Sequence, residues 1–285
     1  MTLLTRRPWL AVAAVLVTAV LLGHSRLPGG VGTVVESFLP WFGLLIIPLA
    51  LLRSVWALLP AVTWAAMFGA FWVGQGPGGD HDLRVVSQNV KAFNSEPLAL
   101  NRKLVSLKAD VVALEEITTG TRTLDRAYPH TERLGTVGVW SRYPISGVRR
   151  IDLGLGWTRA LSATLTTPKG PVTIYVAHLG SARPGATRGR DTSLAHLASA
   201  LHADDSRRLI LLGDLNTAST DTRFTELPLD DAQSTAGWGF GFTWPSAFPV
   251  TRPDHVLYRG VTPTTASVVT TPGSDHRAVT ADFRL

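Results

Sequence analysis

The sequence predicts an α/β domain rich in antiparallel pairing, carried behind an apolar N-terminal anchor. Three observations lead there. The first seventy-odd residues hold three long uncharged runs. From Leu83 onward, short β-branched runs intermix with stretches of helical period. Several links between those runs are too short for a crossover helix, so their strands must pair antiparallel. The expected division is an anchor over 1–75, a linker over 76–82 and a globular domain over 83–285.

Residues 8–23 carry no charge and follow Arg6-Arg7. Alone, such a run is a signal-peptide core behind a basic start. It is also short for a span, which takes about 20 residues. The context favours a span. Residues 37–52 form a second uncharged run and 54–74 a third, divided only by Arg53. A soluble helix is seldom apolar on every face over such lengths, so the reading is about three transmembrane helices. The positive-inside rule puts Arg6 and Arg7 in the cytoplasm. The glycine-rich loop 24–36 then lies outside, Arg53 marks a cytoplasmic turn, and the third span delivers Gly76-Pro77-Gly78-Gly79 to the outer face. The chain is thus expected in the plasma membrane, multi-pass, with its globular domain extracytoplasmic. A cleaved signal followed by a helical hairpin leaves the domain on the same side. If the first run is no span, the orientation inverts. Trp41, Trp56, Trp64 and Trp72 suit interfacial or packing positions.

Composition narrows the chemistry. The chain has no cysteine, which excludes disulfides, thiolate metal sites and cysteine nucleophiles. Its net charge is +6, but residues 80–285 hold 23 basic and 20 acidic side chains, so half the excess lies in the anchor. A duplex-binding surface needs a concentrated basic face, and none is evident. No protein partner is evident either.

The domain reads in order as follows. Residues 83–90 form a strand carrying Asn89 at its end. Residues 97–108 form a helix, with Leu98, Leu100, Leu104 and Leu107 at helical spacing. A short buried strand, 110–114, stops at Glu115-Glu116. Strands at 136–140 and 147–153 flank Ser141-Arg142-Tyr143-Pro144. Strands at 159–166 and 172–177 form a hairpin about Pro168-Lys169-Gly170, and the second runs into His178. Residues 181–190 read as a loop. Its Arg183, Arg188 and Arg190 are either solvated or grip a phosphate-rich headgroup. Residues 192–202 are helical, with His196 and His202 on the surface. A buried strand at 208–212 delivers Gly213-Asp214-Leu215-Asn216. An aromatic, glycine-rich loop covers 237–249. Residues 253–258 form a short strand in which His255 alternates away from Asp254 and packs. A last strand, 278–283, follows Ser274-Asp275-His276-Arg277.

Polar groups therefore collect at strand ends. Asn89, Glu116, His178, Asp214 and Asn216 close apolar strands, while Asp254 and the pair Asp275-His276 open them. Strand ends are rigid and suit fixed geometry. The residue types are those of hard-cation phosphate chemistry, since Mg²⁺ prefers carboxylate and carbonyl oxygen. Phosphodiester cleavage needs an aligned water, a base, and donors for charge developing on phosphoryl oxygens. Arg159 opens a strand and either packs or faces the phosphate.

On these residues the chain resembles the endonuclease/exonuclease/phosphatase family, which includes DNase I-like nucleases, neutral sphingomyelinases and inositol polyphosphate 5-phosphatases. The resemblance rests on SQNV ending at Val90, DVVALEE ending at Glu116, SRYPI at 141–145, AHL at 177–179, GDLN at 213–216, DHVL at 254–257 and SDHR at 274–277. Glu115 departs from it, standing where the family often has glutamine. The resemblance implies a four-layer α/β sandwich of two mixed, mainly antiparallel sheets with outer helices. It also implies roles. Glu116, assisted by Asn89 and Asp275, would hold Mg²⁺, or Mn²⁺ in its place. Asp214 would orient or deprotonate the attacking water. Asn216 and His178 would hold the phosphate. Asp254 would pair with His276, whose imidazolium donates to the phosphate. Either Asp214 or His276 can be the general base.

The anchor favours a lipid phosphate or pyrophosphate as substrate, because tethering raises the effective concentration of membrane substrates. The layout also resembles that of the membrane-bound VanJ-like subgroup, which implies a lipid-carrier pyrophosphate. A surface nuclease acting on extracellular DNA or RNA is the alternative enzyme. A non-catalytic binding module on the same fold is the alternative from another class.

Overall fold

The computed structural model describes residues 8–73, 76–118, 120–183 and 185–285. Arg6 and Arg7, on which the expected orientation rests, lie outside them. The segment expected to be an anchor, and so called below, runs α1 (Pro8–Gly23), α2 (Gly29–Ser37), α3 (Ile46–Leu51) and α4 (Leu58–Phe68), joined and extended by short 3-10 turns. Two stretches, Pro8–Arg26 and Val55–Trp72, are long and apolar enough to cross a membrane. The middle of the anchor qualifies only as a pair, Gly29–Ser37 with Leu39–Leu51, bent by 66°. About three spans were expected; the described residues hold two, or three if the bent pair is a single span. The outside loop is corrected, because much of 24–36 is helix. Glycine disfavours helices by up to about 1 kcal/mol per residue, which made 29–32 read as loop. Tertiary contact overrides that preference. Arg190 Nη2 of the globular domain donates to Thr33 Oγ1 at 2.9 Å, and Thr222 Oγ1 donates to the Glu36 carboxylate.

Two small cores order the anchor along its length. Leu10, Ala14, Leu49 and Ala57 form one. Leu21, Leu39 and Phe68 form the other, with Phe240 of the globular domain against it. The middle segment therefore runs from the domain end at Leu39 to the far end at Leu49, and α4 returns.

The globular domain contains β1 (Leu83–Asn89), α5 (Pro97–Ser106), β2 (Val111–Glu115), α6 (Arg122–Ala127), β3 (His130–Leu134), β4 (Val137–Ser141), β5 (Ile145–Arg150), β6 (Ala160–Thr167) and β7 (Gly170–His178). It continues with α7 (Arg188–His202), β8 (Leu209–Asp214), β9 (Asp230–Asp231), α8 (Ala232–Ala236), β10 (Asp254–Arg259), β11 (Thr262–Val269) and β12 (Ala278–Arg284). Two six-stranded sheets form, ordered β11-β12-β1-β2-β4-β3 and β5-β6-β7-β8-β10-β9. Among the described residues, only β1–β2 and β7–β8 pair parallel.

Alternation along the strands builds the layers. Leu83, Val85, Val111, Ala113, Ile174, Val176, Ile210 and Leu212 point between the sheets. Val86, Val112 and Leu114 point outward against Leu100, Leu104 and Leu124 of α5 and α6. Tyr175, Ala177, Leu209 and Leu211 point outward against Leu194, Leu197 and Leu201 of α7. The result is the expected four-layer sandwich. The threonine-rich β11, which gave no clear strand signal, is an edge strand with a bulge between Pro263 and Thr265, the kind of place a sheet tolerates proline. The expected linker is pinned rather than free, since Gly78 N donates to Thr264 O at 3.1 Å.

Candidate active site

The site lies where the inter-sheet core ends. His178 has the same strand parity as Ile174 and Val176, and Asp214 the parity of Ile210 and Leu212, so both continue the inner face. The register sets His178 beside Asp214, and Asp214 beside Asp254. Three of the candidate side chains thus stand in one row across β7, β8 and β10. Gly213 permits the close approach: a Cβ there would lie 1.9 Å from the Ala177 carbonyl oxygen. The other sheet faces this row with Asn89, which is paired in register with Glu115.

Glu116 follows strand β2 and by parity would turn outward. Its φ of +58° lies in the left-handed region, which costs a non-glycine residue on the order of 1–3 kcal/mol. That turn swings the carboxylate back to the row. Glu116 Oε2 accepts from Ala92 N at 2.8 Å, and Oε1 from Asn89 Nδ2 at 3.1 Å. Asn89 Nδ2 also donates to Asp214 Oδ2 at 2.9 Å, bridging the two sheets. Asn216, at φ +46°, donates its backbone N–H to Asp214 Oδ1 at 2.9 Å and its amide to Leu179 O at 3.1 Å.

His276 arrives from the loop before β12. Its Nδ1 lies 2.9 Å from Asp254 Oδ2, and its Nε2 lies 3.8 Å from Asp214 Oδ2. Thr243 Oγ1 donates to Asp254 from behind at 2.5 Å. Burial alone would lower the His276 pKa, but Asp254 and then Asp214 reverse this and raise it to about 10. His276 is therefore an imidazolium at neutral pH, and Nε2 carries a proton. His178 goes the other way. Burial, only partly offset by Asp214, lowers it to about 4. Its Nε2 meets the Arg159 guanidinium and stands 3.5 Å from Glu116 Oε1. A lone pair at Nε2 requires the proton on Nδ1, which finds no partner among the described residues. Burial raises the Asp214 carboxyl, against the opposing pull of His276.

The donor set fits a divalent cation of the Mg²⁺ type. Glu116, His178 and Asp214 converge within 4.8 Å, and so do Asp214, Asp254 and His276. Hard carboxylate oxygens from Glu116 and Asp214 suit an ion that keeps several waters. Asn89 turns its amide nitrogen, not its oxygen, toward these carboxylates; its Oδ1 accepts from Lys91 N at 2.9 Å. A ligand role needs the amide rotated by half a turn. Asp275 is only half-buried, and its backbone oxygen accepts from Ser246 N at 2.7 Å. Its carboxylate is not part of either convergent group.

Several site features were open or unseen in the sequence. Arg159 reaches the cluster and stacks over Trp157 at 4.9 Å. Thr243 lies in a loop whose composition says only that it is aromatic. Glu115 is fully buried, accepts from Ser87 Oγ at 2.8 Å, and is driven well above the usual carboxyl range by burial. A neutral carboxylic acid is close in shape and polarity to an amide, so it can stand where glutamine was expected. His255 is buried, with Nε2 2.8 Å from Thr217 O and its ring against Phe224; it packs, as its parity implied. His196 and His202 are exposed. Arg190 overturns both readings of its loop. It is fully buried, paired to Asp221 at 2.8 Å and Asp191 at 2.7 Å.

The fold is shared by several solved structures. Zebrafish (D. rerio) TDP2 complexed with a single-strand DNA product superposes with a TM-score of 0.62 at 17% identity, over 71% of this chain and 99% of that one. The human Nocturnin catalytic domain with bound sulfate gives 0.57 at 18% identity, over 70% and 93%. The 3′ phosphatase NExo from Neisseria, bound to a product DNA hairpin, gives 0.56 at 16% identity, over 71% and 100%. No curated protein matches at the sequence level. The model of the Endonuclease/Exonuclease/phosphatase family matches residues 86–276, a stretch that includes every side chain of the convergent groups. The chain belongs to the endonuclease/exonuclease/phosphatase family.

Proposed function

We propose that the chain is a membrane-anchored, divalent-metal-dependent phosphoester hydrolase acting outside the cytoplasm on a lipid phosphate or pyrophosphate. The observation that carries the hydrolase reading is the in-register row His178–Asp214–Asp254, faced by Glu116 and closed by a cationic His276. Glu116 and Asp214 would hold Mg²⁺ or Mn²⁺, joined by Asn89 once its amide is rotated. When bound, such an ion neutralises charge growing on phosphoryl oxygens.

The remaining work belongs to the chain. The His276 imidazolium donates Nε2–H to a phosphoryl oxygen, and Asp254 fixes the ring orientation by accepting Nδ1–H. Already protonated, His276 is a poor base. Asp214 takes the proton of the attacking water. Its raised pKa brings it closer to the working pH, where a base is effective. Asn216 and Arg159 supply donors to the phosphate, and the Arg159 contact holds the neutral His178.

The membrane arm of the proposal draws support from two apolar helices of spanning length. The near-neutral charge of residues 80–285 favours lipid over duplex. Because TDP2 and NExo were solved with DNA products, DNA is the control substrate. The full chain in nanodiscs is incubated with Mg²⁺, Mn²⁺ or chelator. Substrates are long-chain phosphates and pyrophosphates, sphingomyelin, phosphatidylinositol phosphates, and plasmid or single-stranded DNA. Metal-dependent phosphate release from lipids is expected. Cleavage of DNA alone replaces the proposal with the nuclease. Equal activity in Asp214→Ala sinks the hydrolase reading. The lack of native cysteine makes orientation easy to test. A cysteine placed at exposed Ser199 should react with a membrane-impermeant thiol reagent on intact cells.

A further inference from the structure

The anchor and the domain meet around an apolar cleft of about 410 Å³. Trp41, Leu44, Trp64 and Trp72 of the anchor line it, with Phe240 and Phe242 of the domain. The domain's contribution comes from the aromatic loop 237–249. Phe240 packs among Trp64, Phe68, Phe71 and Trp72, with ring centroids 5.3 to 6.2 Å away. Phe242 stacks on Trp41 at 5.7 Å, and the Trp41 indole donates to Val250 O at 2.7 Å.

The same loop supports the active site. Thr243, one residue beyond Phe242, donates to Asp254, the partner of His276. Ser246 N donates to Asp275 O, and Arg277 N donates to Thr243 O. The cleft and the imidazolium therefore stand on the two sides of one loop segment. Exposed aromatics flank the site on other loops as well, Phe93 after Asn89 and Trp157 before Arg159.

We propose that the cleft holds the hydrocarbon chain of the lipid phosphoester whose phosphate enters the site; this rests on the lipid-phosphate reading above. A lipid that lifts its headgroup to His276 draws methylenes out of the hydrocarbon layer. Exposing each to water weakens binding roughly fourfold. An aromatic cleft beginning among the apolar helices and ending beside Thr243 removes that cost. It also predicts discrimination by chain length, which a polar headgroup site alone lacks.

The test uses the full chain in phosphatidylcholine nanodiscs, with hexadecyl phosphate and butyl phosphate as probes. The readout is the ratio of their kcat/KM values. Leu44→Trp, which fills the cleft, should lower that ratio at least tenfold. Val62→Trp, exposed on α4 outside the cleft, should leave the ratio alone. An unchanged ratio in Leu44→Trp overturns the proposal, as does an equal fall in both variants. Binding is read separately with a diazirine-bearing hexadecyl phosphate. Labelling within 40–44 or 240–242, competed by unlabelled hexadecyl phosphate, supports the cleft. Uncompeted labelling means ordinary bilayer lipid and overturns it. If wild type hydrolyses neither probe, the hydrolase reading fails for these esters and the labelling alone decides the cleft.

Discussion

Two buried polar clusters in this chain differ in how well their charges are satisfied. The first is the row of His178, Asp214 and Asp254 with Glu116 and His276. The second joins the domain to the anchor. There Arg190 Nη1 meets Asp221 at 2.8 Å, Nε meets Asp191 at 2.7 Å, and Nη2 donates to Thr33 of α2 at 2.9 Å. Nearby, Glu36 of α2 accepts from Thr222 and lies 3.1 Å from His24 Nδ1. Every arm of the Arg190 guanidinium finds an acceptor. The first cluster instead crowds carboxylates together and leaves Arg159 Nε and His178 Nδ1 without partners among the described residues. The Arg190 cluster, which holds elements together, satisfies its groups. The cluster proposed to receive an ion and a phosphate leaves capacity unspent.

The sharpest way to break this contrast is Asp214→Asn. Removing a proton acceptor of this kind should lower kcat by about 10²- to 10⁴-fold. Its folded pKa is raised, so ionised Asp214 opposes folding above its unfolded pKa. The variant should therefore melt no lower than wild type. A large fall in Tm would mean that the first cluster is structural after all. Arg190→Ala should behave oppositely. It leaves buried Asp221 with only the longer Arg223 guanidinium contact, at 3.6 Å, which costs up to about 3–5 kcal/mol, read by denaturant unfolding of the detergent-solubilised chain. The folded fraction should keep its kcat.

The two clusters were not equally legible in the sequence. The first announces itself because apolar β-branched runs stop at acids, amides and imidazoles, and strand parity then aims them inward. Its details were not legible. No local signal marks the left-handed turn at Glu116, the full burial of Glu115 that raises its carboxyl, or Thr243 behind Asp254. The second cluster was invisible. Arg190 sits in a glycine-rich polar stretch that reads as solvated. Its partners Asp221 and Thr33 lie 31 and 157 residues away. Burial by such distant contacts leaves no periodicity to read. The same holds for α2, whose glycines read as loop until Thr33 and Glu36 meet the domain.

Protonation separates the clusters next. His276 should stay cationic up to about pH 10, so the rate should fall about tenfold per unit above that pH as its donor proton is lost. In stability the raised pKa acts with the same sign. Its contribution is complete below pH 6.5, the ordinary histidine value, and disappears as pH rises toward 10. His276→Gln should abolish the alkaline limb in both the rate and the unfolding profile. An unchanged limb would assign it to another group.

The smallest effects come from a matched pair of threonines, each changed to the nearly isosteric valine. Thr243 donates to Asp254 at 2.5 Å, and Thr33 accepts from Arg190 at 2.9 Å. Each bond involves a charged group, so each is worth about 1.5–3 kcal/mol. The loss should emerge in different observables. In Thr243→Val the freed Asp254 oxygen loosens its hold on His276, and kcat should fall about tenfold or more with little change in Tm. In Thr33→Val the orphaned Arg190 donor sits in the anchor–domain contact. Stability should fall by a similar free energy while kcat holds. If both variants lose stability and neither loses rate, Thr243 is only a loop fastening. The link from the anchor through the aromatic loop to His276 would then carry no catalytic positioning.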